Sequence, residues 1–145
     1  GDAAITVGVG KVGDEAKRLL DVTEGALRAG IAAAKDNAHL GDVSAAIQRY
    51  VEAEGFSVVR EYTGHGIGRD MHEEPQIPNF GAAGQGPVLR KGMTLALEPM
   101  VNRGGWETRL SDDKWTVLTA DGSLSAHFEH TIAVTDGEAE ILTLT

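Results

Sequence analysis

The sequence contains no cysteine, no long apolar run and few basic residues, and each absence excludes a class of protein. Without cysteine there are no disulfide bonds, thiolate metal sites or cysteine nucleophiles. No segment is apolar enough to cross a bilayer, and no signal segment opens the chain, so we expect a cytoplasmic protein with no membrane partner. Only 13 Lys and Arg oppose 22 Asp and Glu. Nucleic acid is therefore not an expected partner, because it is bound by basic surfaces.

The size and composition are those of one globular domain. The chain has 145 residues, of which 41% are hydrophobic and 24% are charged, and both values are ordinary for a folded domain. It begins without methionine and leads at once into the β-branched run 5–9. This beginning suggests a fragment or a processed chain.

The order of the apolar patterns predicts two helices followed by strands. The first strand is predicted at 3–9, and the helices at 14–37, capped by Asp14, and from Asp42 to Gly55. The remaining pattern predicts strands at 56–62, 93–101, 126–134 and 138–142, a hairpin of 106–109 with 115–119, and an irregular stretch over 69–92. This order predicts an α+β fold, with helices on one face of a largely antiparallel sheet.

The segment EYTGHGIGRDMHEEP, residues 61–75, combines two histidines with acidic residues. Imidazole and carboxylate groups together suit borderline divalent metals such as zinc, manganese, iron and cobalt. The glycines on both sides of His65 allow the backbone and a ligand to approach closely. The segment therefore indicates a metal site.

Three carboxylates join His65 at predicted strands or strand ends: Asp2, Glu98 and Glu129. A carboxylate among apolar strand residues is costly to bury unless it is paired or bound to a metal. One such residue alone would be explained by an outward-facing strand position. Four in comparable settings are better explained by a dinuclear metal site, in which two bridged cations can hold a hydroxide as the nucleophile.

The other histidines receive different interpretations. His72 is interpreted as a hydrogen-bond donor to a substrate carbonyl oxygen, with a loop histidine held by a neighbouring glutamate as the alternative. His39 and His130 are assigned structural roles. His127 shares the face of Glu129 by strand alternation, which allows it an outer-shell role at the metal site.

Four motifs carry a resemblance to a known family: YTGHGIG at 62–68, HEEP at 72–75, EPMVN at 98–102 and SAHFEHT at 125–131. In this order and spacing they closely resemble type I methionine aminopeptidases, over residues 1 to about 142. The resemblance implies a "pita-bread" α+β fold and a dinuclear metal site that removes the initiator methionine from nascent polypeptides. Residues 1–145 would be a metallo-aminopeptidase catalytic domain lacking its N-terminal half.

The resemblance also implies roles for individual residues. Asp2 and Glu129 would bridge up to two divalent cations (Co, Mn, Fe or Zn). His65 would bind one of them, and Glu98 would bind the same cation and assist proton transfer.

On the substrate side, His72 would contact the scissile amide. Met71 and Trp115 would line the pocket for the methionine side chain. An apolar thioether at Met71, where family members often carry phenylalanine, is a mild change.

Two alternatives remain beside methionine removal. Prolidase-like Xaa-Pro peptidases share the metal ligands but continue the glutamate motif as Glu-Pro-Gly, whereas this chain has Glu98-Pro99-Met100, which favours methionine. The second alternative is a non-catalytic half-domain that binds a partner, because the family's first metal-binding aspartate has no counterpart here. We therefore expect a weakened second cation site, and either self-association or pairing with a chain that supplies the N-terminal half.

Overall fold

In the computed structural model, which describes residues 1–144, two helices form one layer of the molecule. Helix α1 is Asp14–Ala33 and helix α2 is Leu40–Ala53. The predicted cap of α1 is wrong, because Gly13 is the capping residue and Asp14 lies in the first turn. The helix also ends before residue 37, where Asn37 takes a left-handed conformation with φ 67°. Within the described residues, neither helix is long and apolar enough to cross a membrane.

Helix α2 begins two residues earlier than predicted. Asp42 does not precede the helix but lies in its first turn, where its carboxylate accepts the N–H of His39 at 2.8 Å. It also accepts the N–H of Gly84 at 2.7 Å. These backbone donors, Gly84 first, lower the pKa of the Asp42 carboxyl. His39 itself precedes the helix with its Nδ1 3.0 Å from the Gly86 oxygen, which agrees with a structural role.

The strands form three sheets in which all neighbouring strands are antiparallel. In chain order the strands are β1 Ala3–Ala4, β2 Ser57–Val58, β3 Thr63–Gly66, β4 Glu73–Pro78, β5 Thr94–Leu97, β6 Met100–Asn102, β7 Thr108–Leu110, β8 Val117–Thr119, β9 Ser125–His127, β10 Glu129–Ala133 and β11 Glu140–Ile141. The main sheet has the order β1-β10-β5-β3-β4, with β11 also on β10; β2-β6-β9 form a second sheet and β7-β8 a hairpin. The predicted α+β class and the predicted hairpin are confirmed.

Two of the predicted strands are each divided between two sheets. The strand predicted at 93–101 breaks at Glu98-Pro99 into β5 and β6, because proline has no N–H for the ladder. The strand predicted at 126–134 breaks at Phe128 into β9 and β10. The two breaks lie side by side, since the Phe128 N–H donates to the Pro99 oxygen at 3.4 Å. Glu98 and Glu129 therefore lie where the chain crosses between the sheets.

Strand β4 lies inside the stretch that was predicted to be irregular. It contains Pro75 and Pro78, which usually argue against a strand. β4 is an edge strand of the main sheet, and its pairing with β3 is shifted between His65 and Gly66, so missing N–H groups are tolerated. The strand predicted at 56–62 is confirmed only in part, because β2 covers Ser57–Val58 and the next strand, β3, begins at Thr63 and contains His65.

The first predicted strand is paired only over Ala3–Ala4. Beyond it, Ile5, Val7 and Val9 are 70%, 65% and 87% exposed. Their alternation is that of a strand, but within residues 1–144 no further strand covers them. The prediction for 5–9 is therefore wrong for the structure described here.

The core lies between the two helices and the sheets. Leu27 of α1 and Ile47 of α2 are fully buried against Leu95, Val101 and Ile132 from the strands. The helices approach each other closely at Gly30, where an added Cβ would lie 2.8 Å from the Ile47 side chain. This packing fixes the strands whose ends carry the predicted site residues.

Candidate metal centre

The four predicted metal ligands lie in, or directly next to, four strands that are neighbours in the main sheet. Asp2 directly precedes β1, His65 is in β3, Glu98 directly follows β5 and Glu129 opens β10. The strand register brings these residues together. Ala4 of β1 is paired with Glu129, and His65 is paired with Ala96 of β5. Residues far apart in the sequence thus meet at one place in the sheet.

The distances define a compact cluster around His65. Its Nε2 lies 3.5 Å from Glu98 Oε1 and 4.0 Å from Asp2 Oδ2. One ligand atom from each of His65, Glu98 and Glu129 lies within 4.8 Å of the others. The His65 and Glu129 residues are only 6% and 5% exposed. A nitrogen and several carboxylate oxygens converging at this spacing suit a divalent cation.

The hydrogen bonding of His65 favours the tautomer that a metal ligand needs. Its Nδ1 lies 2.9 Å from the Gly66 carbonyl oxygen, which can only accept. Nδ1 therefore carries the proton, and the lone pair of Nε2 faces the carboxylates. A lone pair facing anionic oxygens is repelled unless a cation lies between them, and a backbone carbonyl on the far nitrogen is the usual orienting partner of a metal-bound histidine.

Glu129 provides the clearest test of whether a cation fits. Its Oε1 is buried and has no hydrogen-bond partner among the described residues. Burial, and then the charges of Glu98 and Asp2, raise the pKa of the Glu129 carboxyl to about 7. A buried, unpaired carboxylate is unfavourable unless a cation compensates its charge. The residues present therefore fit a divalent metal.

Asp2 is held in place by the hydroxyl group of Thr131. The Thr131 Oγ1 accepts the Asp2 N–H at 2.8 Å and donates to the Asp2 carbonyl oxygen, also at 2.8 Å. Thr131 is 3% exposed, so this double contact is shielded from water. This role of Thr131 could not be predicted from the sequence, because threonine is common in strands.

The double contact leads to a prediction for Asp2. Replacing Thr131 with valine should weaken Mn²⁺ binding about 10-fold, because the backbone that orients the Asp2 carboxylate loses its tether. Thr131→Ser keeps the hydroxyl and should retain the wild-type affinity. Isothermal titration calorimetry on both variants measures the difference, and equal affinities for valine and serine would contradict the positioning of Asp2 by this hydroxyl.

His72 lies at the open side of the cluster. Its ring centroid is 4.3 Å from that of His65, and Asp2, His65 and His72 form a second group whose ligand atoms lie within 4.8 Å. The alternative of a histidine held by a neighbouring glutamate receives no support, since the Glu73 and Glu74 carboxylates accept backbone N–H groups. A cavity of about 350 Å³ between His65 and His72 opens to solvent.

The two residues predicted to line the methionine pocket have exposed side chains. Met71 is 57% exposed, and Trp115 is 87% exposed in the turn between β7 and β8. Their role remains a prediction. His130, assigned a structural role, has its Nδ1 2.8 Å from the Thr143 hydroxyl, and burial lowers the pKa of its imidazole.

Comparison with known proteins agrees with a metal site, because the chain matches a metallopeptidase family. A family model described as metallopeptidase family M24 matches residues 1–136. The methionine aminopeptidase of Clostridium perfringens is 54% identical over 143 residues, which are 99% of this chain and 57% of that protein. Methionine aminopeptidase 1 of Bacillus subtilis is also 54% identical, over 99% of this chain and 58% of that protein. The chain thus spans less than two thirds of the curated relatives it matches.

Solved structures agree on the fold. The methionine aminopeptidase of Thermotoga maritima superposes with a TM-score of 0.97 at 53% identity, covering 99% of this chain and 57% of that one. The prolidase of Pyrococcus furiosus superposes with a TM-score of 0.76 at 20% identity and shows the shared fold alone. The predicted pita-bread arrangement is confirmed.

Proposed function

Because the chain belongs to metallopeptidase family M24, we propose that it is a divalent-metal-dependent aminopeptidase that removes methionine from the N-termini of nascent polypeptides in the cytoplasm. The observation that carries the proposal is the cluster of His65, Glu98 and Glu129, in which a buried oxygen of Glu129 has no hydrogen-bond partner among residues 1–144. The 54% identity to methionine aminopeptidases supports the substrate.

The four residues of the cluster divide the binding of up to two cations, Co, Mn, Fe or Zn. Asp2 and Glu129 would be shared between the cations, and His65 and Glu98 would hold one of them. When bound, such cations lower the pKa of a water molecule and polarise a peptide carbonyl group. Asp2 is the more exposed ligand, with 31% of its side chain accessible, so a second cation on the Asp2 side should be the more weakly bound.

The side chains of this chain then handle the protons and the developing charge. Glu98 takes a proton from the attacking water and passes it to the leaving amine nitrogen as the C–N bond breaks. His72, on the open side of the cluster, donates a hydrogen bond to the carbonyl oxygen as that oxygen becomes negative.

Methionine specificity is favoured over Xaa-Pro specificity by the residue after Pro99. Methionine stands at position 100, where prolidase-like relatives carry glycine. The relatives at 54% identity carry the name methionine aminopeptidase, whereas the prolidase structure reaches only 20% identity.

An assay on two peptides separates these specificities. The chain should be stripped with a chelator, titrated with Mn²⁺ or Co²⁺, and offered a Met-Ala-Ser peptide or an Ala-Pro dipeptide. We expect methionine release that requires added metal and stops on chelation, and no release of alanine from Ala-Pro. Cleavage of Ala-Pro would establish the prolidase alternative, and no cleavage of either peptide by folded chain would favour the non-catalytic, partner-binding alternative.

We also propose that two copies of the chain associate through the exposed segment 5–9. Its apolar residues Ile5, Val7 and Val9 alternate directly after β1, the strand at one end of the main sheet, and no strand within residues 1–144 covers them. Light scattering on purified chain should give the mass of a dimer, and the Val7→Lys variant should give that of a monomer. Monomeric wild-type chain at high concentration would contradict this proposal.

A further inference from the structure

The imidazole of His127 is a polar group beside the cluster that the proposed function does not use. His127 ends strand β9, two residues before Glu129. Its Nε2 is buried and has no hydrogen-bond partner within residues 1–144, although it lies 3.5 Å from Glu98 Oε2. A buried ring nitrogen without a partner is unfavourable, so this arrangement needs an explanation.

The backbone of His127 is fixed from two sides. His127 pairs with Met100 of β6, and only Pro99 separates Met100 from Glu98. On the other side, the Thr6 hydroxyl donates to the His127 carbonyl oxygen at 2.7 Å and accepts the His127 N–H at 2.9 Å. The position of the His127 ring is therefore coupled to the segment that carries Glu98.

The Glu98 carboxylate lies between two imidazoles, and its two oxygens face different ones. Oε1 is 3.5 Å from His65 Nε2, whereas Oε2 is 3.5 Å from His127 Nε2. The Glu98 side chain is 16% exposed, so water competes little for either oxygen. The orientation of the carboxylate plane thus decides whether Oε1 faces the centre of the cluster.

We propose that His127 is a positioning residue, whose Nε2–H donates a hydrogen bond to Glu98 Oε2 and holds Oε1 toward the cation bound by His65 and Glu129. The inference rests on the proposed metal site and adds a residue that sets its affinity. A distance of 3.5 Å is longer than a formed hydrogen bond, but such pairs are often long in ligand-free sites and tighten when the site is filled. Loss of an outer-shell partner of this kind typically reduces metal affinity 10- to 100-fold.

The test compares two replacements of His127 in the whole chain. His127→Leu has a side chain of similar reach without a donor, and His127→Gln presents an amide that can donate to Oε2. Calorimetric titration of chelator-stripped chain with Mn²⁺ should show about 10- to 100-fold weaker binding for the leucine variant and wild-type affinity for the glutamine variant. His130→Gln is the matched control, because His130 lies on the opposite face of the adjoining strand and contacts Thr143 instead.

The outcomes are distinguishable. Thermal unfolding of the metal-free variants, if equal to that of wild type, excludes a folding defect as the cause of weak binding. If wild type itself binds no Mn²⁺, the proposed metal site fails. If wild type binds Mn²⁺ and His127→Leu binds it equally well, the positioning role of His127 is overturned. The role is also overturned if His127→Gln binds Mn²⁺ as weakly as His127→Leu, since the imidazole would then be a direct ligand.

Discussion

Replacing Glu129 with glutamine should weaken the binding of Mn²⁺ to this chain by more than about 100-fold, because loss of a ligand should cost at least as much as loss of an outer-shell partner. Glutamine keeps the size of the side chain but removes the charge and one anionic oxygen. Glu129 is the most buried carboxylate of the cluster, and its Oε1 has no hydrogen-bond partner among residues 1–144. Methionine release should fall in parallel.

The same substitution should stabilise the metal-free chain at high pH. Burial, followed by the charges of Glu98 and Asp2, raises the pKa of the Glu129 carboxyl from its ordinary value of 4.5 to about 7. Between these two values the unfolded carboxyl ionises while the folded one stays protonated, so rising pH destabilises the fold. The full difference corresponds to about 3 kcal/mol above pH 7, and it vanishes below the unfolded pKa.

Thermal unfolding with and without metal measures both effects. At about pH 8, metal-free Glu129→Gln should unfold at a higher temperature than metal-free wild type, and the two should converge toward about pH 4.5. Saturating Mn²⁺ should reverse the order, because only wild type gains binding energy. Glu140→Gln, at an exposed position in β11, is the control and should change neither property. An unchanged Mn²⁺ affinity in Glu129→Gln would contradict its role as a ligand.

Replacing His72 with alanine should reduce the turnover of the Met-Ala-Ser peptide by about 100- to 1,000-fold. The imidazole lies at the open side of the cluster, with its ring 4.3 Å from that of His65, where it could donate to the carbonyl oxygen of a bound peptide. The interaction strengthens only as that oxygen becomes negative, so kcat should fall more than KM rises.

Metal affinity decides between the two roles that the geometry allows for His72. If it is a donor to substrate, His72→Ala should bind Mn²⁺ as wild type does, and His72→Gln should recover part of the turnover. A large loss of Mn²⁺ affinity in His72→Ala would instead make it a ligand, as its grouping with Asp2 and His65 permits. That result would contradict the division of roles proposed here.

The residues predicted as metal ligands lie together in the structure, whereas several of the predicted strands have other bounds. His65, Glu98 and Glu129 stand out because charged or polar groups among apolar strand residues need a partner. Apolar alternation, in contrast, continues through Pro99 and Phe128, so it cannot reveal that the chain changes sheets at both points. This change of sheets is nevertheless what places the two glutamates side by side.

Other features gave no local signal at all. Thr131 holds Asp2, and Thr6 holds His127. By sequence both threonines are ordinary strand residues, because each contact joins residues more than a hundred positions apart. The prolines of β4 are tolerated only because that strand lies at the edge of the sheet, which local sequence does not show. These features are therefore determined by contacts between residues distant in the sequence, which local sequence patterns do not reveal.

The most direct test of this account is an anomalous diffraction measurement on crystals of the chain grown with Mn²⁺. The account predicts an anomalous peak bounded by His65 Nε2 and the carboxylate oxygens of Glu98 and Glu129, with a weaker second peak on the Asp2 side. The first peak should be absent from crystals of Glu129→Gln grown in the same way. A well-ordered chain with no peak among these residues, or with manganese bound only elsewhere, would contradict the assignment of this cluster as a metal centre.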